Sequence, residues 1–178
     1  MTIEQWNVLF SAATFVVIAI TAIAATIQLR HLRASNQLSA LVTILEDWQN
    51  PEMQRWVEYV RGGALAEKLK DPAYLQSLPA TRADRNLHPW RHVCDYFEQL
   101  GSYVKYDLID KASYLDVSCT IVRHLYETIE PCIQTLREWS GSDAIYENFE
   151  YLAVQSVLWM RSHPNSYPAG LPRFNELK

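Results

Sequence analysis

The pattern of apolar and polar positions sets the start of the chain apart, because the segment from Trp6 to Ile27 contains no charged residue. An α-helix of this length crosses a hydrocarbon core of about 30 Å and satisfies its own backbone polar groups there. The segment therefore predicts a transmembrane helix over residues 6–27, preceded by a short external N-terminus of residues 1–5. The residues predicted to anchor it in lipid are Trp6, Phe10, Phe15, Ile18, Ile20 and Ile27.

Two other interpretations of this segment stay open. A cleaved signal peptide is one, since Ala22-Ile23-Ala24 resembles a small-residue cleavage site. A signal peptide also needs a basic stretch before its apolar region, and the only charged side chain there is Glu4. The buried helix of a soluble core is the other, although such helices usually carry a polar stripe, which is missing here.

The flanks of the segment predict its orientation. Arg30, His31 and Arg33 follow it directly, whereas Glu4 precedes it. An excess of Lys and Arg marks the cytoplasmic side of a membrane helix, and Arg30 and Arg33 can reach back to the interface. We therefore expect a single-pass protein of the inner (cell) membrane, with its N-terminus outside and its C-terminal domain in the cytoplasm.

Downstream of the segment, apolar residues recur at spacings of three and four, which is typical of helices that pack by one face. No stretch alternates in the manner of a strand. The pattern predicts an all-α fold in which the span continues into an antiparallel bundle of about five to six helices over residues 28–163. An irregular tail over residues 164–178 completes the prediction. The first predicted apolar face consists of Leu38, Leu41, Val42, Leu45 and Trp48.

Capping residues and helix breakers predict where the helices begin and end. Predicted starts are Asn50-Pro51, Asp71-Pro72, a capping box of Ser113 with Asp116, and Ser142, with Asp110 as an end or an alternative cap. Predicted ends are Gly62-Gly63, Pro79 and Gly141, and Pro131 is expected to kink the longest helix. Residues 79–90 form the main predicted loop.

Charge and cysteine content narrow the function classes. The whole chain carries a net charge of −4, and leaving out Glu4, Arg30 and Arg33 gives −5 from residue 34 onward. An acidic domain is a poor match for a phosphate backbone, so we expect no nucleic-acid partner. The three cysteines are widely spaced and odd in number, so we interpret them as small buried apolar groups in a reducing compartment.

His88 and His92 are the only histidine pair with a spacing that suits a metal ion. Two histidines four residues apart on one helix face can bind zinc if a third ligand joins them. His88 precedes Pro89, however, and so lies at a helix start, with its side chain directed off the face. Ordinary surface or half-buried histidines are therefore the default interpretation, and we expect no metal and no other cofactor.

Other reactive combinations are weaker still. Cys119 and His124 lie five apart on one predicted helix, which directs them to different faces. Glu127 and Glu130, with Glu147 and Glu150, are carboxylates without the Glu-x-x-His pairing of helical metal sites, and a solvated face with an Arg123–Glu127 pair explains them. No phosphate loop, nucleophile elbow or zinc-protease motif occurs. We expect no catalysis and can identify no small-molecule ligand.

Two features of the predicted loop suggest a contact surface. Arg82 and Arg85 form the one locally basic patch, which could rest on anionic headgroups, although a solvated loop is the commoner explanation. Tryptophan is abundant, and we weigh an interaction role evenly against core packing. Among the tryptophans, Trp90 is expected to be the exposed one because of its loop position.

The stretch from Asp95 to Leu152 carries a family resemblance. Its motifs are DYFEQLGSYVKYDLID, a long helix containing a proline, LREWSG and YENFEYLA. Together they resemble an uncharacterised bacterial family of small membrane-anchored helical proteins, known as a domain of unknown function. The resemblance implies an N-terminal span and a cytoplasmic helical domain, and it implies no activity.

These observations favour a membrane-anchored interaction, scaffolding or regulatory module whose partners are the lipid bilayer and another protein or a second copy. An accessory subunit assembled through its transmembrane helix is the first alternative. A membrane-held hydrolase or metal-dependent enzyme using His88, His92, Glu127 or Glu130 is the second.

Overall fold

The computed structural model describes residues 2–164, 167–168 and 170–178, without the side chains of Leu9 and Ala34. Over these residues the chain is all-helical, with 80% helix and no strand. The elements are α1 (Ile3–Gln49), α2 (Pro51–Arg61), α3 (Ala64–Leu69), α4 (Pro72–Thr81), α5 (Trp90–Lys105), α6 (Lys111–Ser140), α7 (Glu147–Ser162) and a short 3-10 helix (Phe174–Leu177).

The chain divides into two compact units, one over residues 1–42 and one over residues 43–178. The first unit consists of α1 as far as Val42, and the large apolar side chains described over residues 3–38 are exposed to the surroundings. The second unit, which we call the helical domain, contains the last turns of α1 and all later elements. Its core is built on α6, which packs against α7, α4, α2 and α3, while α5 packs against α7 and α2.

Local capping explains why several helices begin where the sequence predicts. The Asn50 side chain accepts a hydrogen bond from the Glu52 N–H at 2.9 Å, and the Asp71 carboxylate accepts one from the Ala73 N–H at 2.9 Å. Each cap is followed by a proline in the first helical position. A backbone N–H at that position makes no hydrogen bond within the helix, so the absence of one in proline costs nothing there. These two starts are confirmed, as are the ends at Gly62 and at Gly141.

The start of α6 shows which of two predicted caps is used. Asp110 is the N-cap, and its carboxylate accepts from both the Ser113 N–H at 2.8 Å and the Ser113 hydroxyl at 2.6 Å. The predicted capping box with Ser113 as its first residue is therefore wrong. The two short bonds to Ser113 also lower the pKa of the Asp110 carboxyl.

Pro79 does not end its helix as predicted, and Pro131 lies inside a continuous helix. Helix α4 continues past Pro79 to Thr81, so the predicted end at Pro79 is wrong and the loop is shorter than expected. Helix α6 runs through Pro131 without a break. An interior proline removes one backbone hydrogen bond, and the packing of the surrounding turns offsets that cost.

The predicted apolar face of the end of α1 is rotated in the structure. Ile44 is the buried residue there, whereas Leu38, Val42 and Leu45 are exposed. Trp48 packs against the Tyr96 and Phe97 rings of α5, and the Tyr96 hydroxyl donates to the Ile44 carbonyl at 3.1 Å. Spacing alone could not choose between neighbouring stripes on a helix that is apolar over more than one side.

The predicted tail is only partly described, because residues 165, 166 and 169 lie outside the described part of the chain. Its described residues from Tyr167 onward are exposed, and they include the 3-10 helix near the C-terminus.

Candidate functional site

His88 lies at the centre of a buried polar cluster between α4 and α5. Its side chain is 2% exposed, and both ring nitrogens are in hydrogen bonds. The Nδ1 atom lies 3.2 Å from the Tyr74 hydroxyl, and the Nε2 atom lies 2.8 Å from the Thr81 hydroxyl. Burial is the largest cause that lowers the pKa of His88, and the nearby positive charge of Lys68 lowers this pKa further. We call His88, Tyr74, Thr81 and Trp90 the His88 cluster.

Trp90 completes this cluster, and the expectation that it is an exposed contact residue is wrong. Its side chain is fully buried, and its indole N–H donates to the Tyr74 hydroxyl at 3.1 Å. The residue begins α5 instead of lying in the loop, so its ring points into the core. The tryptophan that is exposed in the helical domain is Trp139, at 52%.

The second histidine of the predicted pair is not brought to His88. The His92 ring stacks on Trp56 of α2, with ring centroids 3.9 Å apart and planes inclined by 10°. Burial lowers the pKa of His92 as well. No group of three metal-ligating side chains occurs among the described residues. With both nitrogens of His88 already engaged, a metal ion would have to displace Tyr74 or Thr81.

The predicted basic patch is tied to the rest of the helical domain. The Arg85 guanidinium pairs with the Asp95 carboxylate of α5. The Arg82 guanidinium lies over the Trp139 ring of α6, 4.3 Å from its centroid. Arg91, next to the patch, donates to the Tyr146 hydroxyl at 3.2 Å and to the Arg82 carbonyl. These side chains hold the loop in place, so the patch offers less free positive charge than its sequence implies.

The motifs that carry the family resemblance meet where α5 contacts the start of α7. The Glu98 carboxylate accepts the backbone N–H groups of Asn148 and Phe149 at 3.0 Å each, and the Asn148 side-chain amide at 2.7 Å. One turn further along α5, Gly101 has its backbone against Asn148, where an added Cβ would lie 2.0 Å from the carbonyl oxygen. Sequence reasoning missed this junction, although the spacing Glu98-x-x-Gly101 marks one helix face.

A buried arginine joins α6 to the same region. The Arg137 side chain is 6% exposed, and its Nε–H donates to the Ile145 carbonyl at 2.9 Å. Its Nη1 donates to the Glu150 carboxylate of α7 at 2.7 Å. The Glu150 side chain is 42% exposed and therefore partly solvated, but it also pairs with a buried arginine, which the prediction of a solvated charged face did not include. The predicted Arg123–Glu127 pair is present, at 3.2 Å on the surface of α6.

The contact between α5 and the start of α7 also replaces the cap that was predicted at Ser142. Ser142 caps only a turn, by accepting the Ala144 N–H at 3.3 Å, and α7 begins five residues later at Glu147. The residue before it, Tyr146, has a left-handed backbone with φ of 57° and no side-chain capping bond. Its hydroxyl donates to the Asp95 carboxylate at 3.3 Å. The helix start is therefore fixed by α5, through Glu98 and Asp95.

Two of the three cysteine thiols are unsuited to reaction because they are buried. Cys94 and Cys132 are fully buried, as predicted, whereas Cys119 is half-buried. Burial raises the pKa of Cys94 well above its usual range and that of Cys132 to about 12. A thiol needs its thiolate form to act as a nucleophile, so neither is suited to catalysis.

The N-terminal segment has the surface that lipid requires. All six predicted anchor residues are exposed: Trp6, Phe10, Phe15, Ile18, Ile20 and Ile27. The hydroxyls of Thr14, Thr21 and Thr26 donate to carbonyls one turn earlier, at 2.8–2.9 Å, so the helix satisfies its own polar side chains. Within the described residues, α1 is the one helix whose length and composition suit a membrane span.

The chain thus combines one long apolar helix with an all-helical domain whose polar clusters join its helices to one another. It belongs to the family described as Domain of unknown function (DUF4760), which matches residues 12–156. This confirms the resemblance seen over residues 95–152 and extends it into the apolar segment. No curated protein and no solved structure matches the chain.

Proposed function

We propose that this protein is anchored by a single transmembrane helix, residues 6–27 of α1, and that its helical domain works at the membrane surface. The observation that carries the proposal is the exposed, uncharged surface of that helix together with its internally bonded threonine hydroxyls. A soluble protein would leave this much apolar surface in water, at a cost of about 25 cal/mol for each Å².

The proposed orientation places the N-terminus outside and the helical domain in the cytoplasm, below the inner membrane. It rests on Arg30 and Arg33 after the span and on Glu4 before it. Arg30 and Arg33 are exposed, so their charged groups are free to meet lipid headgroups. Within the domain, we infer an antiparallel bundle arranged around α6, since short connections join its successive helices.

Cysteine labelling tests both the anchor and its orientation. A background with Cys119→Ser removes the half-exposed thiol, and Thr2→Cys or Lys178→Cys then adds a single exposed thiol at one end. A membrane-impermeant maleimide should label Thr2→Cys in intact cells, but Lys178→Cys only after permeabilisation.

The opposite labelling pattern would overturn the orientation. Recovery of the protein in the soluble fraction, with an N-terminus after residue 24, would instead show a cleaved signal peptide.

We further propose that the domain binds another protein and catalyses no reaction. Its charged and aromatic clusters are occupied in joining helices, as Arg82, Arg137 and Glu98 show. The outer side of α7 carries an exposed apolar stripe instead, with Tyr151 half-buried, Val154 48% exposed and Leu158 50% exposed. Spacings of three and four residues on a helix surface are those by which helices dock into grooves.

Photocrosslinking from α7 tests this binding role in native membranes. A photoreactive residue at Val154 or Leu158 should form a discrete crosslinked species, and Val154→Glu should abolish the crosslink from Leu158. Val117 of α6, which is 75% exposed, is a matched control position for probe and substitution. Crosslinks to lipid alone would contradict the proposal.

Exchange of the span for an unrelated apolar helix separates this role from that of an accessory subunit assembled through its membrane helix. Binding through α7 survives the exchange, whereas assembly through the span does not.

A further inference from the structure

We propose that His88 is a pH-sensitive latch on the connection between α4 and α5, residues 82–89. The latch is closed while the imidazole is neutral, and it opens when the ring gains a proton. The proposal rests on the hydrogen-bond geometry of the His88 cluster and concerns the helical domain alone, so it is independent of the membrane anchor.

The hydrogen-bond geometry of the cluster favours one arrangement of its hydrogens. The Thr81 hydroxyl donates its single hydrogen to the Ser77 carbonyl at 2.9 Å. Towards His88 its oxygen can therefore only accept, so the Nε2 atom of His88, 2.8 Å away, carries the ring hydrogen. The Nδ1 atom of the neutral ring is then an acceptor, and it receives the Tyr74 hydroxyl hydrogen at 3.2 Å.

Trp90 fixes the other end of this chain. Its indole N–H has no accepting ability, so it donates to the Tyr74 oxygen at 3.1 Å. Each hydrogen of the cluster is thus used once, in one direction, from Trp90 through Tyr74 and His88 to Thr81. This chain ties α4, through Tyr74 in its first turn and Thr81 at its end, to the start of α5 across the connection.

A proton on Nδ1 breaks the chain at its centre. The Tyr74 hydroxyl and the protonated Nδ1 would both point a hydrogen at the other atom, so Tyr74 must turn its hydrogen away. Its oxygen already accepts from Trp90, and its hydrogen turns from His88 to the Tyr59 hydroxyl of α2, so the bond that joins Tyr74 to His88 is lost. The protonated ring also places a charge in a buried site, which is costly.

The groups around His88 favour the neutral ring. Lys68 of α3 and Arg91 of α5 are cations that oppose a further positive charge, while Asp84 of the connection is the one acid that favours it. Tyr59 of α2 and Cys132 of α6 also face Tyr74, and burial raises the pKa of Cys132 to about 12, so that thiol is uncharged near neutral pH.

Opening of the latch acts on the side chains of the connection. Arg82 lies on Trp139 of α6, and Arg85 pairs with Asp95 of α5. Both contacts depend on the path of residues 82–89. His88 lies near the C-terminal end of this connection and holds that path in place. The open form would therefore separate two arginines from the ring and the carboxylate that they contact in the closed form.

Hydrogen exchange on the full-length protein in detergent micelles measures this opening directly. Exchange of the amides of residues 82–88, corrected for the intrinsic pH dependence, is compared with that of α6 amides in the same sample. Between the ordinary histidine pKa near 6.5 and the lowered pKa of His88, the opening constant should rise roughly tenfold for each pH unit of acidification. An opening constant that does not change with pH would overturn the proposal.

The variant His88→Asn separates titration from structure. Asparagine offers an oxygen in place of Nδ1 to accept from Tyr74 but cannot titrate, so the pH dependence of opening should disappear. The matched control is His92→Asn, which removes the half-buried histidine of the region and should leave the dependence intact. Loss of the dependence in the control, or its persistence in His88→Asn, contradicts the latch.

Nitrogen-15 NMR of the unmodified protein gives a test that needs no variant to fold. At pH 7.5 the His88 ring should show the neutral form with its hydrogen on Nε2. A ring with its hydrogen on Nδ1, or a charged ring, would overturn the assignment from which the latch follows.

Discussion

Glu98 of α5 caps the first turn of α7 by accepting the backbone N–H of Asn148 at 3.0 Å, across 50 residues of chain. Helix starts are usually capped by a side chain next to the helix in sequence. Here the residue in that position, Tyr146, provides no cap, and a carboxylate from another helix does so instead. The negative charge also lies at the positive end of the α7 dipole, which favours the arrangement further.

Removal of this carboxylate should destabilise the helical domain. Glu98→Ala leaves the N–H groups of Asn148 and Phe149 without an acceptor, so we expect a loss of about 2–3 kcal/mol in the free energy of unfolding. Urea unfolding followed by tryptophan fluorescence measures it. Glu127→Ala, which removes only a surface pair, is the matched control and should cost less than about 0.5 kcal/mol. Equal losses in the two variants would show that Glu98 is no cap.

Gly101→Ala should be destabilising, although alanine is the better helix former. By propensity alone the change would gain about 1 kcal/mol. The new Cβ would instead lie 2.0 Å from the Asn148 carbonyl oxygen and 2.6 Å from its carbon, so α5 and α7 must move apart. We expect a net loss of about 2–3 kcal/mol, measured by thermal or urea unfolding.

Gly141→Ala supplies the comparison for Gly101. Gly141 has a φ of 67° and open space around its Cα, so an added methyl group meets only backbone strain. The expected loss is about 1–2 kcal/mol. A gain of stability in Gly101→Ala would mean that the two helices do not approach as closely as described.

For the pair of Arg137 and Glu150, removal of one partner should cost more stability than removal of the charge from both sides. Glu150→Ala leaves the buried guanidinium without its acid, and we expect a loss of about 2–4 kcal/mol in unfolding free energy. The lower part of that range is expected because the Glu150 side chain is 42% exposed. The double variant Arg137→Met with Glu150→Gln removes the charge from both sides and should be more stable than Glu150→Ala. A double variant that is less stable than Glu150→Ala would refute this account.

The three thiols should differ in reactivity under native conditions. For Cys132, a pKa of about 12 in place of 9.0 lowers the thiolate fraction about a thousandfold, and Cys94 is buried completely. Intact-mass analysis after brief maleimide treatment should therefore find one modification, on Cys119, and three after denaturation. The variant Cys119→Ser should show none in the native state. Rapid native labelling of Cys94 would mean that the contact between α5 and α6 opens readily.

The parts of the fold that local sequence governs could be predicted. Asn50 and Asp71 start helices by accepting backbone hydrogen bonds two residues away, and Gly141 ends one with a left-handed backbone. Such signals depend on a few neighbouring residues, so they can be recognised in the sequence without knowledge of the fold. The burial of Cys94 and Cys132 agrees with the interpretation of the cysteines as small apolar groups, whereas Cys119 is only half-buried.

The parts that failed depend on distant contacts. Trp90 looked exposed because it follows a loop, but Tyr74 of α4 gives its indole N–H a buried partner. The late start of α7 depends on Glu98, which no pattern near Ser142 could reveal. His88 looked like a surface residue or a ligand, and its actual place follows from Thr81 and Tyr74, which precede it by 7 and 14 positions.

The distant cap of α7 has a consequence for the order of folding. Since the first turn of α7 is completed by α5, the C-terminal helix lacks a local nucleation signal, and α5 is synthesised before it. We infer that α5 acts as a template on which α7 acquires its register. Refolding kinetics of Glu98→Ala test this: a slower folding rate with little change in unfolding places the junction in the transition state, whereas faster unfolding alone places it after.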